Sequence, residues 1–272
     1  MKIDSMPGDL EFFDGVWFAK SNSRISYPED GNDLCAQIEE NSFWFNHRNN
    51  CIYELMNTFH PSEPFFDIGG GNGFVSLNLQ QKGLKVILVE PGKSAIENAK
   101  RRGINTLVCS TLKDAKFQSG SIPSAGAFDV VEHIKYDLEF FTDIYSLLQP
   151  SGRFYLTVPS YSFLWSEEDD KAGHFRRYTV NQISDRLVQA GFRVEFATYI
   201  FSILPIPIFL FRSLPSLMGI KNKTLDTVKL KKDHEKQLTL LSKVWSWEIE
   251  RIRKRKPILF GGSCLVVVTK PG

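Results

Sequence analysis

No CxxC pair occurs in this chain, whose four cysteines, Cys35, Cys51, Cys109 and Cys264, are scattered over 272 residues. The scatter excludes a dense disulfide frame and fits a reduced, intracellular protein. Nor does the set Cys35, His47, Cys51 and His60 have the spacing of a closed zinc site. Ordinary buried cysteines and surface histidines are predicted there, and no metal. An excess of one charge is missing as well: 33 Lys plus Arg against 31 Asp plus Glu leave a net charge of +2. That lacks the concentrated basic face a nucleic-acid partner would require. Met1 to Phe18 mixes acids with aromatics and has no basic start followed by an apolar run, so no secretory signal is read. Long hydrophobic runs are absent too. The most apolar stretch, Tyr199 to Phe211, is too short to span a bilayer and is broken by Pro205 and Pro207. These absences point to a cytoplasmic protein.

Hydrophobic residues make up 42% and charged residues 24% of the chain, ordinary globular usage that predicts a real core in one large domain or one domain with an insertion. The first 30 or so residues show no sustained period and many turn formers, as an arm or a flap packed by its aromatics would. A helix is predicted from about Ala36 to Phe59, with Ile38, Phe45, Ile52 and Leu55 near one face. Short apolar strands then alternate with amphipathic helices. Strands are read at Phe65 to Ile68, to Glu90 in GLKVILVE, near Ile104 to Cys109, through SIPSAGAFDVV, and near Arg153 to Val158. Two more, RVEFATYI and the terminal SCLVVVTKP, flank an interruption at roughly residues 201–262. Strand, helix, strand in succession predicts a mostly parallel, doubly wound α/β sheet. Pro123, at the start of the fourth strand, fits only where its missing N–H is not needed in the ladder.

The most informative stretch is Asp67-Ile68-Gly69-Gly70-Gly71-Asn72-Gly73, set between a buried strand and an amphipathic helix. Such a turn brings backbone N–H groups and a helix N-terminus up to a ligand with no Cβ in the way. Glu90 ends the next strand, about 20 residues on, where a carboxylate can accept both ribose hydroxyls of an adenosine. A dinucleotide frame starting at Gly69 puts Phe74 at its third small position, which would push the helix off the sheet. The frame from Gly71 ends in Ser76 but places the turn two residues late.

The pattern D-x-G-x-G-x-G, followed by an acid after the second strand, resembles class I S-adenosylmethionine (SAM)-dependent methyltransferases. Phe128-Asp129-Val130-Val131-Glu132-His133-Ile134 resembles their segment after the fourth strand, and LLQPSGRFYLTVPSY the helix, turn and strand that follow. Gly173-His174-Phe175-Arg176-Arg177-Tyr178-Thr179 resembles a loop of a bacterial subgroup, as does the ending KPILFGGSCLVVVTKP. The resemblance covers roughly Phe43 to Pro271. It implies a seven-stranded Rossmann-like fold: an N-terminal arm and helix at 1–60, a SAM-binding domain at 61–200 plus 263–272, and a helical cap at 201–262. It also implies SAM as cofactor, S-adenosylhomocysteine as product, and a cofactor site at Asp67, Gly69, Gly70, Gly71, Gly73, Glu90, Pro91, Thr111 and Asp129. The acid that often contacts adenine is replaced by Ser110 and Thr111, so adenine would be held by a hydroxyl, by backbone, or by Asp114.

The expected activity is methyl transfer to O or N of a small-molecule, glycan or lipid-linked acceptor. His133 and His174, both at C-terminal strand ends, are the candidate bases or acceptor-orienting groups, since histidine titrates near neutrality; the alternative is that they brace a loop or cap a helix. Glu132 is a further candidate, with a structural role as its alternative. Arg176, Arg177 and Tyr178 are candidate acceptor contacts, with an ion pair between the arginines and Glu167-Glu168-Asp169-Asp170 as the bland alternative. The apolar run within 199–223 reads as a lid over the site, or as a peripheral contact with the inner face of a membrane. Two rival functions are a SAM-fold binding protein without catalysis and a nicotinamide-dependent oxidoreductase.

Overall fold

The computed structural model describes residues 8–20, 42–219 and 234–272, with side chains left aside at 234–240. Nine strands form one sheet: β1 (Leu10–Phe13), β2 (Val16–Ala19), β3 (Phe65–Ile68), β4 (Val86–Val89), β5 (Leu107–Cys109), β6 (Ile122–Phe128), β7 (Leu148–Pro159), β8 (Arg193–Ile200) and β9 (Ser263–Thr269). Their order is β1-β2-β5-β4-β3-β6-β7-β9-β8. Pairings from β2 through β7 are parallel, while β9 runs antiparallel to both β7 and β8. All four residues of β3 and of β4 are buried, as strands covered on both faces by helices must be.

The helices are α1 (Phe43–Thr58), α2 (Phe74–Gln81), α3 (Lys93–Arg101), α4 (Leu112–Ala115), α5 (Asp137–Leu147), α6 (Glu167–Ala172), α7 (Val180–Gln189), α8 (Pro205–Ile208), α9 (Leu214–Leu217) and α10 (His234–Arg253). The stretch between α8 and α9 is π-helical, Phe209–Ser213. Three apolar clusters pack on the sheet, one around Phe141 and Phe154, a second around Phe65, Tyr155 and Phe201, and a third around Leu88, Ile96 and Leu107. No described helix is long and apolar enough to cross a membrane.

The seven strands β3 to β9 stand where the sequence places them. The part of the N-terminal arm at residues 8–20 differs from expectation: it is a hairpin whose turn, Asp14 (φ 46°) and Gly15 (φ 83°), has both central residues left-handed. That is the two-residue turn whose twist matches paired strands. The hairpin docks β2 in parallel on β5 and so extends the sheet by two strands. Pro123 is accommodated by an irregularity in register between Ile122 and Ser124, where β6 pairs with β7. The predicted helix at Ala36 begins, within the described residues, at Phe43; Cys35 and the start of that prediction lie outside them.

Candidate functional site

The site is assembled at the C-terminal ends of β3, β4, β6 and β7. After β3 the chain turns at Gly69, Gly71 and Gly73, all with positive φ, and enters α2. A Cβ at Gly69 would lie 2.8 Å from Cγ2 of Val130, whereas one at Gly71 would meet nothing within 4 Å. Gly69 therefore lets the loop pack on the end of β6, while Gly71 borders open space, the cradle a nucleoside needs. Asp67 is buried and accepts a hydrogen bond from the Ser76 hydroxyl at 2.7 Å. Burial pushes its carboxyl up to about 6, against the pull of Ser76 and Arg48.

Glu90 stands just beyond β4. Its Oε2 accepts the Gly71 N–H at 3.1 Å and its Oε1 the Gly92 N–H at 2.7 Å. Burial raises its carboxyl while these two donors act to lower it. Glu90 thus pins the glycine loop to the end of β4, and its remaining lone pairs are those a ribose could use. Pro91 follows, its carbonyl 3.8 Å from Sγ of Cys109. Ser110 donates to the Thr111 carbonyl at 2.7 Å. The Thr111 hydroxyl caps α4, accepting from the Asp114 N–H at 3.1 Å and donating to Asp114 Oδ2 at 2.8 Å. Both hydroxyls proposed to meet adenine, and Asp114 with them, are thus bonded to one another's chain.

Past β6, Asp129 adopts φ 57°. Its Oδ1 accepts the Thr157 hydroxyl at 2.8 Å, and its Oδ2 pairs with Arg48 of α1. The Arg48 guanidinium lies 5.0 Å from the centre of the Phe45 ring, and its Nε is buried with no partner among the described residues. His47, Arg48 and Asn49 are all buried, and sequence periodicity missed them. The signal available was a polar run, Asn46-His47-Arg48-Asn49-Asn50, set between the apolar stretches of the helix. Beside α1, His47 Nε2 lies 2.8 Å from Oε2 of Glu248 and 3.5 Å from Cys51 Sγ. Two members of the weighed zinc quartet thus meet, but with Glu248 as third group; His60 is exposed beyond the end of α1.

The second half of the site follows directly. Glu132 is 1% exposed, and its Oε2 has no partner among the described residues. Burial, and then the charge of Asp129, push its carboxyl well above the usual range. The rings of His133 and His174 meet edge to face with centroids 4.7 Å apart. Burial, helped by His174, lowers His133 to about 4, against hydrogen bonds to the backbone of Ala172 and Gly173. Nδ1 of His174 lies 2.8 Å from Oδ1 of Asp169. Arg177 donates to the same carboxylate through Nε at 2.8 Å and Nη2 at 3.0 Å, and to the Ser160 carbonyl at 3.2 Å. Burial alone would raise Asp169, but the bonds from His174 and Arg177 prevail and hold it at about 2.

Arg176 pairs with Asp137 at 2.9 Å and donates to the Lys135 carbonyl. Tyr178 is buried and donates to the same Asp137 carboxylate at 2.9 Å. All three residues read as acceptor contacts are engaged by internal carboxylates, and of them Arg176 keeps the most exposed side chain, at 29%. The ion pair with the acidic run, the bland alternative, forms between Arg177 and Asp169. The apolar run leaves β8 and continues through α8, the π-helical turn and α9, beside α6. Ser216 Oγ accepts the Glu167 N–H at 3.1 Å, and Arg212 pairs with Glu168 at 2.7 Å.

A family described as "Methyltransferase domain" matches residues 44–196, more than half of the chain. No curated protein matches it. Among solved structures, phosphoethanolamine N-methyltransferase 2 of Haemonchus contortus with bound S-adenosyl-L-methionine is similar at 20% identity and a TM-score of 0.57; the match covers 92% of this chain and 59% of that one. Geranyl diphosphate C-methyltransferase of Streptomyces coelicolor A3(2), with Mg²⁺, geranyl diphosphate and S-adenosyl-L-homocysteine, gives 14% identity and a TM-score of 0.52 over 80% of this chain and 76% of that one. The [4+2]-cyclase SpnF gives 13% identity and a TM-score of 0.55 over 92% and 99%. At these identities the structures establish the shared fold, and the cyclase illustrates that one fold serves several chemistries. The family match and the glycine-loop geometry agree, and the chain belongs to the methyltransferase-domain family as a SAM-dependent methyltransferase of class I fold.

Proposed function

We propose that the chain transfers a methyl group to O or N of a small-molecule, glycan or lipid-linked acceptor in the cytoplasm. The observation carrying this reading is that the Gly71 cradle and a facing pair of histidines share the C-terminal edge of one sheet. SAM, when bound, supplies a methyl already activated by its sulfonium. Asp67, Gly69, Gly70, Gly71, Gly73, Glu90, Pro91 and Asp129 would hold it. Thr111 would shape the adenine end through the turn it caps. Arg48 adds a buried cation beside Asp129 that suits a carboxylate.

His133, held neutral, can accept a hydrogen bond from an acceptor hydroxyl or amine and place it, while His174, oriented by Asp169, is the base that takes its proton. Such a base contributes roughly 10²–10⁴-fold. Arg176 is the side chain best left to meet an anionic part of the acceptor. Residues 61–200 with 263–272 form the SAM-binding unit in this reading, 1–60 its arm, and 201–262 the cap.

Calorimetry with SAM, S-adenosylhomocysteine and NAD, followed by an acceptor panel scored for S-adenosylhomocysteine release, tests the proposal. Binding of NAD in place of the sulfonium cofactor would sink it. Tight SAM binding with no turnover on any acceptor would favour the non-catalytic reading.

A second reading concerns the cap surface. Ile206, Leu210, Phe211, Leu217 and Met218 are all exposed on the run beside α6. An apolar acceptor or the headgroup layer of a membrane would cover them. Sedimentation with anionic vesicles at low salt tests this, and failure to pellet would dismiss membrane contact.

A further inference from the structure

We propose that Glu132, His133 and His174 form a binding site for a divalent transition-metal ion of the zinc or cobalt type. One potential ligand atom from each, a Glu132 oxygen and one nitrogen of each ring, lies within 4.8 Å of the others. Tetrahedral metal–ligand bonds of about 2.0–2.2 Å put adjacent ligands roughly 3.4 Å apart, so the three groups would draw together on binding.

The second observation is independent of that proximity. Glu132 is 1% exposed, and its Oε2 has no hydrogen-bond partner among the described residues. A buried carboxyl oxygen without a partner is costly, and a metal ion would give it one. A third concerns orientation. His174 has one ring nitrogen, Nδ1, held 2.8 Å from Asp169, and Arg177 grips that carboxylate in turn. A carboxylate behind a histidine in this way fixes the tautomer and directs the other nitrogen to a metal. Two imidazoles and one carboxylate suit zinc, cobalt or ferrous iron, whereas Mg²⁺ and Ca²⁺ favour all-oxygen sets.

Among the described residues a second cluster of metal-ligating side chains, His47, Cys51 and Glu248, lacks such an unpartnered oxygen. Glu248 is matched by His47, by the N–H groups of Phe201 and Ser202, and by the Ser202 hydroxyl. At the Glu132 site three protein ligands would leave a position for an oxygen of the acceptor; this last step alone rests on the methyl-transfer reading. A ring nitrogen bound to metal cannot also take a proton, so with the ion in place the histidines position the acceptor rather than deprotonate it.

The full chain, dialysed against a chelator, is titrated with Co²⁺ by visible absorption and with Zn²⁺ by calorimetry, and S-adenosylhomocysteine affinity is measured on the same preparation. One ion per chain is expected. Glu132→Gln and His174→Ala should abolish uptake while S-adenosylhomocysteine still binds, which shows the variants fold. Asp169→Asn, with every ligand kept, should weaken uptake by roughly 10–100-fold, and Cys51→Ser should leave it unchanged. Absence of Co²⁺ and Zn²⁺ uptake in protein that binds S-adenosylhomocysteine overturns the proposal. Uptake that survives His174→Ala, or disappears in Cys51→Ser, overturns it too. Uptake with the expected variant pattern upholds the metal site even if S-adenosylhomocysteine fails to bind, a result that would strike the methyl-transfer reading alone.

Discussion

His174 and Arg177 share one carboxylate: Asp169 Oδ1 lies 2.8 Å from the histidine Nδ1 and 2.8 Å from the arginine Nε. The arrangement converts a loop histidine into an oriented one. Gly173, in the left-handed conformation that ends α6 (φ 74°), lets the chain fold back so that the two residues meet.

Replacing Asp169 by Asn should therefore lower turnover by about 10²-fold or more while S-adenosylhomocysteine affinity is unchanged. The stability effect has a definite sign. A carboxyl held at about 2, below its ordinary 3.8, favours the fold above that ordinary value, and the benefit is lost as pH falls towards 2. The depression corresponds to roughly 2 kcal/mol. Acid unfolding followed by circular dichroism should show Asp169→Asn less stable than wild type at neutral pH, and the two converging below about pH 2.

His133 has linkage of the same sign in a higher pH window. Held at about 4, against 6.5 ordinarily, it is neutral in the folded chain where the unfolded chain has already taken up a proton. Stability should consequently rise between about pH 4 and 6.5 and level off above. In chelator-treated protein, His133→Gln should flatten that slope in urea titrations. A His133 ring signal titrating near 6.5 by NMR would contradict the assignment.

Gly71 and Gly103 both have positive φ, 52° and 84°, and neither would place a Cβ within 4 Å of anything. Alanine at either costs the same kind of left-handed strain, about 1 kcal/mol. Only Gly71 borders the proposed nucleoside cradle. Gly71→Ala should weaken S-adenosylhomocysteine binding by at least tenfold, and Gly103→Ala should match its melting temperature while binding normally. Equal affinities in the two variants would remove Gly71 from the cofactor site.

Glu248, buried, joins α10 to α1 and to the end of β8 through His47, Phe201 and Ser202. Glu248→Ala leaves buried donors unmatched and should destabilise the fold by about 3–5 kcal/mol, read from the urea midpoint. A loss below 1 kcal/mol would mean that water readily replaces the carboxylate.

Local pattern explains what was legible beforehand. Strands β3 to β9 are short apolar runs bounded by turn residues, and the glycine loop with Glu90 is defined by spacing along the chain. The hairpin at residues 8–20 carried its own sign, Asp14-Gly15 between apolar pairs, too brief to register as a period. His133 and His174 could each be placed at a strand end, but their facing rings depend on how two loops fold over α6. Arg48 with Asp129, 81 residues apart, and His47 with Glu248, 201 apart, arise only when α1 settles on the sheet. The commitment of Arg177 and Tyr178 to internal carboxylates is likewise a matter of packing, invisible to composition.

The docking of β2 along β5 has a bearing on how the protein tolerates trimming. Leu107, Val108 and Cys109 are buried, and their outward peptide groups are bonded to residues 16–18. Clipping the chain after residue 20 would bare a greasy ledge with idle amides. Such a ledge recruits whatever strand comes next, so shortened protein should clump while the intact chain stays dispersed.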